Sequence, residues 1–132
     1  MKTHVFRLNP GQDLYLELQK YAVENKLEAA VVLTLIGSLS QLSLRLAAMK
    51  EVITLKEEFE ILQVSGTISL NGLHLHGSFS KKEGSVIGGH LKAGCLIRTT
   101  AEVILVELSE WNFQRKLDEG TGYQELLPSR KP

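Results

Sequence analysis

The chain has 132 residues, 43% apolar and 23% charged, which is the balance of an ordinary globular domain with one core. Fifteen basic and fifteen acidic side chains cancel, so the overall basic excess behind most nucleic-acid binding is missing, although a local patch can survive within a neutral total.

The single cysteine, Cys95, cannot close an internal disulfide, and its apolar neighbours mark it as a small core residue rather than a nucleophile. "MKTHVFRLNPGQ" lacks the apolar run of a signal peptide, and "AAVVLTLIG" is too short to cross a bilayer. A cytoplasmic protein with no membrane contact is expected.

In chain order, "HVFRL" predicts a first strand, ended by "NPG". Leu14, Leu18, Tyr21 and Ala22 then recur at helical spacing, with Asp13 and Glu17 suited to the first turn. "AAVVLTLIG", apolar on both faces, predicts a central strand stopping at Gly37 and Ser38. "LSLRLA" predicts a half-buried strand with Leu42, Leu44 and Leu46 facing in and Ser43 and Arg45 facing out. "EVITL" is a shorter strand. From residue 59, "FEILQVSGTISL", "LHLHGSFS", "SVIGGHL" and "GCLIRTTAEVILVEL" read as strands between turns, and 109–132 as a polar tail running over the surface. The pattern predicts an α/β chain of the α+β type: a single domain, 1–132, with a largely antiparallel sheet packed on one main helix.

The histidines carry the chemistry. His74 and His76 stand two apart in a predicted strand and so share a face. Asn71-Gly72 predicts a two-residue turn pairing Leu70 with Leu73, Ser69 with His74 and Thr67 with His76. A three-residue loop, Lys82-Glu83-Gly84, pairs Phe79 with Ile87 and His76 with His90. This register puts Val64, Ile68, Leu70, Leu73, Leu75, Phe79, Ile87 and Leu91 on one face. Ser65, Thr67, Ser69, His74, His76, Ser78, His90 and Lys92 take the other. A four-residue loop would drop His90 among the apolar residues, so the pattern favours His76 opposite His90. Three imidazoles so placed could meet at one divalent ion, at about 2.0–2.1 Å for zinc, leaving a position open for water. They could equally be solvated polar residues. Gly88 and Gly89, without side chains, would let another chain or a ligand approach the backbone. His4 has no evident partner, Lys81, Lys82 and Glu83 read as a solvated turn, and Glu102 and Glu107 face outward or support the histidines.

The stretch from "FEILQVSG" through Gly88-Gly89-His90 to "AEVILVEL" resembles the PPC domain, conserved in plants and prokaryotes, as do "FRLNPGQDLYLELQKYAVENK" and "RKLDEGTGYQELLP". The resemblance is that of a stand-alone prokaryotic member. It implies a single α/β domain, a homotrimer, and a metal site at His74, His76 and His90. Plant members pair the domain with an AT-hook that contacts DNA; no Arg-Gly-Arg-Pro segment occurs here.

The leading expectation is a trimeric metal- or small-ligand-binding protein, hydrolase-like if it is an enzyme. The alternatives are a DNA-associated regulator, in which trimer formation gathers Arg7, Arg45, Lys92 and Arg98, or a purely structural trimerisation module.

Overall fold

In the computed structural model, which describes all 132 residues, helix α1 (Leu14–Glu24) begins at Asp13, whose carboxylate accepts the Leu16 N–H at 3.1 Å. That bond satisfies one of the amides a first turn leaves free. Leu14, Leu18 and Ala22 are buried, because apolar residues three and four apart form the stripe that packs on a sheet. No helix is long and apolar enough to cross a membrane.

The sheet contains β1 (Lys2–Leu8), β2 (Ala30–Arg45), β3 (Val52–Leu55), β4 (Phe59–Ser69), β5 (Gly72–Ser80), β6 (Val86–Leu91) and β7 (Leu96–Glu107). Its order is β1-β7-β2-β4-β5-β6, with β3 beside β2, and every pairing is antiparallel. One core joins α1 to this sheet through Leu14, Leu18, Leu35, Val103 and Leu105. The architecture is a single α+β domain dominated by antiparallel sheet.

Two expected strands are one. Gly37 bends β2 instead of ending it: a Cβ there would collide with the Thr100 carbonyl, and register shifts against β7 flank the position. The bent strand brings its far end to β6, setting Leu44 opposite Leu91 and Arg45 opposite His90. Strands β2, β4, β5 and β6 therefore close into a ring, with Leu44, Val64, Leu75, Phe79 and Leu91 buried in the core. Ser43, expected to face out, is buried, and its hydroxyl meets Thr54 Oγ1 at 2.9 Å on the neighbouring β3.

The β4–β5 turn is also displaced. Leu70 and Asn71 form it, so that Thr67, not Ser69, lies opposite His74, and Ser65 opposite His76. The cause is a tether. Ser69 Oγ and Asn71 Nδ2 both donate to the Phe113 carbonyl, each at 3.0 Å, and the Leu70 N–H donates to the Leu27 carbonyl at 2.7 Å. The displacement moves the β5 residues from Gly72 to Ser78 by two along β4, which preserves their faces, and an irregularity between Ile61 and Gln63 adds one more step at Phe79 and Ser80. The β5–β6 register is as expected, with Gly84 at φ 89° in the loop and the Lys81 N–H bonded to the Ser85 carbonyl.

Residues 109–132 do more than run over the surface. They include an antiparallel hairpin, β8 (Trp111–Leu117) and β9 (Gln124–Arg130), forming its own two-stranded sheet. Phe113 anchors it: the side chain is buried and its N–H donates to the Glu28 carbonyl at 2.8 Å.

Candidate metal centre and adjoining cavity

His76 stands directly opposite His90, and His74 sits one pleat along on the same face. The three ring centroids are 4.9, 5.1 and 5.3 Å apart, and one nitrogen from each ring lies within 4.8 Å of the others. Only His4, of the four histidines, hydrogen-bonds another protein group, so the cluster's nitrogens are uncommitted. Burial pushes His90 down to about 4, helped by the positive charge of Lys92 and then by His74, Arg45 and His76. Burial also lowers His74, followed by His76 and Arg115, with Glu125 opposing. His90 is thus held as a neutral imidazole at physiological pH, the form that offers a lone pair to a metal. On donor type, mutual distance and protonation, the residues fit a divalent ion.

Gly88 and Gly89 serve the strands around His90. A Cβ on Gly88 would lie 2.9 Å from the Gly77 carbonyl oxygen, and one on Gly89 2.9 Å from that of Arg45. Their bareness lets β6 sit close between β5 and β2, which sets His90 beside both His76 and Arg45.

A cavity of about 860 Å³ opens beside the cluster, with His74 and His90 in one wall and β8–β9 residues in another. Arg45, Lys92 and Arg115 all line it. Arg45 is there because it pairs with His90, and Lys92 because its N–H continues that pairing to the Ser43 carbonyl at 3.2 Å. Arg115 reaches in from β8 and donates to Thr67 Oγ1 at 2.9 Å. Of the four cations that trimer formation would gather in the DNA alternative, Arg45 and Lys92 stand together within one chain. Arg7 donates to Thr100 Oγ1 at 2.8 Å, and Arg98 pairs with Glu58 at 3.2 Å. Arg115 escaped the sequence reading because nothing local shows that the polar C-terminal segment folds back on β4 and β5.

The remaining candidates lie elsewhere. His4 is buried, with Nε2 at 2.7 Å from a Glu107 oxygen and Nδ1 at 2.8 Å from the Tyr21 hydroxyl. A carboxylate only accepts, so Nε2–H donates to it; in the neutral ring Nδ1 then accepts from Tyr21. Burial and Glu107 raise Tyr21 and keep that hydroxyl protonated. Glu107 thus engages His4 rather than the cluster, and Glu102 lies opposite Arg7 on β1. Cys95 is buried and burial pushes its thiol up to about 11, in keeping with a core residue. Lys81 and Lys82 pair with Glu57 and Glu58 at 3.8 Å.

Comparison with known proteins places these observations. The profile of the Plants and Prokaryotes Conserved (PCC) domain matches residues 1–109. The bifunctional protein GlmU of a Synechococcus strain is 46% identical over 126 residues; the match takes in 96% of this chain but only 20% of that protein, so the chain spans about a fifth of the curated relative's length. A hypothetical protein from Salmonella enterica superposes with a TM-score of 0.96 at 35% identity, covering 99% of this chain and 95% of that one. A metal-containing protein from Archaeoglobus fulgidus superposes with a TM-score of 0.82 at 29% identity, over 96% and 94% of the two chains. A proposed DNA-binding protein from Bacteroides thetaiotaomicron shares the fold, with a TM-score of 0.83 at 21% identity over 97% and 91%.

Proposed function

This chain belongs to the Plants and Prokaryotes Conserved (PCC) domain family, and we propose that it binds a divalent metal ion, such as zinc, through His74, His76 and His90. The carrying observation is the convergence of three uncommitted imidazole nitrogens within 4.8 Å. The similarity to a metal-containing archaeal protein supports the same reading. A metal ion bound by three imidazoles with an open position supplies Lewis acidity, polarising an oxygen of water or of a bound small ligand. The chain's own contribution is to hold the three rings on one rigid sheet face and to keep His90 unprotonated. A hydrolase-like reaction suits such a centre; small-ligand binding without turnover is the simpler function.

The functional unit we propose is a homotrimer. Val5, Leu33 and Ile36 are 71%, 63% and 46% exposed on strands of the main sheet, more apolar surface than a lone chain needs to present. The DNA reading draws on the description of the Bacteroides protein, with which only the fold is shared at 21% identity. The zero net charge counts against it.

Elemental analysis of untagged protein purified without chelator tests the metal reading. About one ion per chain is expected, with loss in a His74→Ala/His76→Ala/His90→Ala variant that keeps its fold. Equal metal content in both proteins, or none in either, would leave the histidines as polar-face residues.

A further inference from the structure

We propose that the cavity beside the histidines is a seat for the phosphate group of a small phosphate monoester, held by Arg45, Lys92 and Arg115. The seat stands on the cavity itself; that the ligand's other end reaches the histidine-bound ion rests on the metal reading above.

Three observations carry it. First, Arg45, Lys92 and Arg115 come from different parts of the chain, yet all border one space of about 860 Å³, within the range of small-molecule sites. Second, none of them belongs to any of the eight ion pairs in the structure, although the chain has as many acidic as basic residues. Glu125 is the one acidic residue in the lining, so the space keeps an excess of positive charge. Third, the arginines are oriented by neutral partners. Arg45 donates to the Met49 carbonyl at 3.1 Å and stands over the Tyr123 ring at 5.9 Å, while Arg115 is held by Thr67. A guanidinium held by one neutral bond keeps its other donors free for an anion.

The chemistry of the lining selects the anion. A phosphate monoester carries up to two charges on three outer oxygens, matching three separate cations, whereas a carboxylate offers two oxygens and one charge. Asn71, Gln114 and Gln124 add amide groups that suit hydroxyls on the rest of the ligand. A space of about 860 Å³, bordered on one side by Gln124 and Glu125 of β9, matches the size of a small molecule rather than that of a duplex.

The test is calorimetric titration of the full chain with glycerol phosphate, with acetate and a short DNA duplex as comparisons. It is run on metal-loaded and chelator-treated protein, with metal content measured on the same samples. Saturable glycerol phosphate binding is expected in both preparations, stronger than acetate. Arg115→Gln and Lys92→Gln should each weaken it by about tenfold or more, the loss typical of one charge-assisted hydrogen bond, while thermal melts and metal content stay unchanged. No binding of glycerol phosphate, or binding indifferent to both substitutions, overturns the seat. So does duplex binding that the same substitutions abolish while the monoester fails to bind. The two readings separate cleanly: metal without phosphate binding sinks the seat alone, and phosphate binding without metal sinks the metal centre alone.

Discussion

His90 sits where burial and four positively charged or chargeable neighbours act together. In the metal-free protein its folded value of about 4 lies below the ordinary 6.5 of an unfolded chain. Between those values the unfolded state binds more protons, so stability is whole above 6.5 and is lost as pH falls toward 4. Chelator-treated protein should therefore show a falling Tm on acidification through that window, and His90→Gln should flatten the profile. A profile unchanged by the substitution would place the acid sensitivity elsewhere. Cys95 behaves in the opposite sense. Its thiol, near 11, stays protonated through neutral pH, so alkylation at pH 8 should be slow in the folded protein and accelerate only with denaturant. Rapid labelling under native conditions would contradict its burial. At this scale the sequence was informative about Cys95, whose neighbours are apolar. It was silent about His4, whose partners arrive from the helix and from the last strand of the main sheet.

Strands β4 and β5 depend on Gly66. Its φ of 140° is open to glycine alone, and a Cβ there would run into the His74 carbonyl. Gly66→Ala should cost about 3 kcal/mol by backbone strain and overpacking together, read as a lower urea midpoint, and should loosen the strand that carries His74 and His76. A midpoint equal to wild type would show that β4 shifts freely. What could be foreseen among the elements follows from the range of the signal. The β5–β6 hairpin is specified by its own loop and by alternation on both strands, so the His76–His90 pairing was legible. The β4–β5 turn is held one residue away from the expected place by Phe113, more than forty positions downstream, and no local pattern reports that tether. The β2–β6 pairing, which sets Arg45 beside His90, was invisible for the same reason.

For the whole molecule, the proposed trimer makes a mechanical prediction. Placing charge on the exposed apolar strands, as in Leu33→Glu with Ile36→Glu, should give a monomer by sedimentation while leaving metal content intact, because all three histidines belong to one chain. Trimers that persist would move the interface off these strands, and metal lost together with the trimer would mean that copies share the centre. The division of the chain into two sheets has a different consequence. The main sheet holds the imidazoles and Arg45, with Lys92 just past the end of β6, whereas Arg115, Tyr123 and Glu125 belong to the terminal hairpin, which hydrogen-bonds mainly within itself and lies beyond the residues matched by the family profile. Such a wall is an exchangeable part. Grafting a different sequence onto 114–125, with Phe113 kept as the anchor, would retune which molecules the cavity accepts without disturbing the core that supports the histidines.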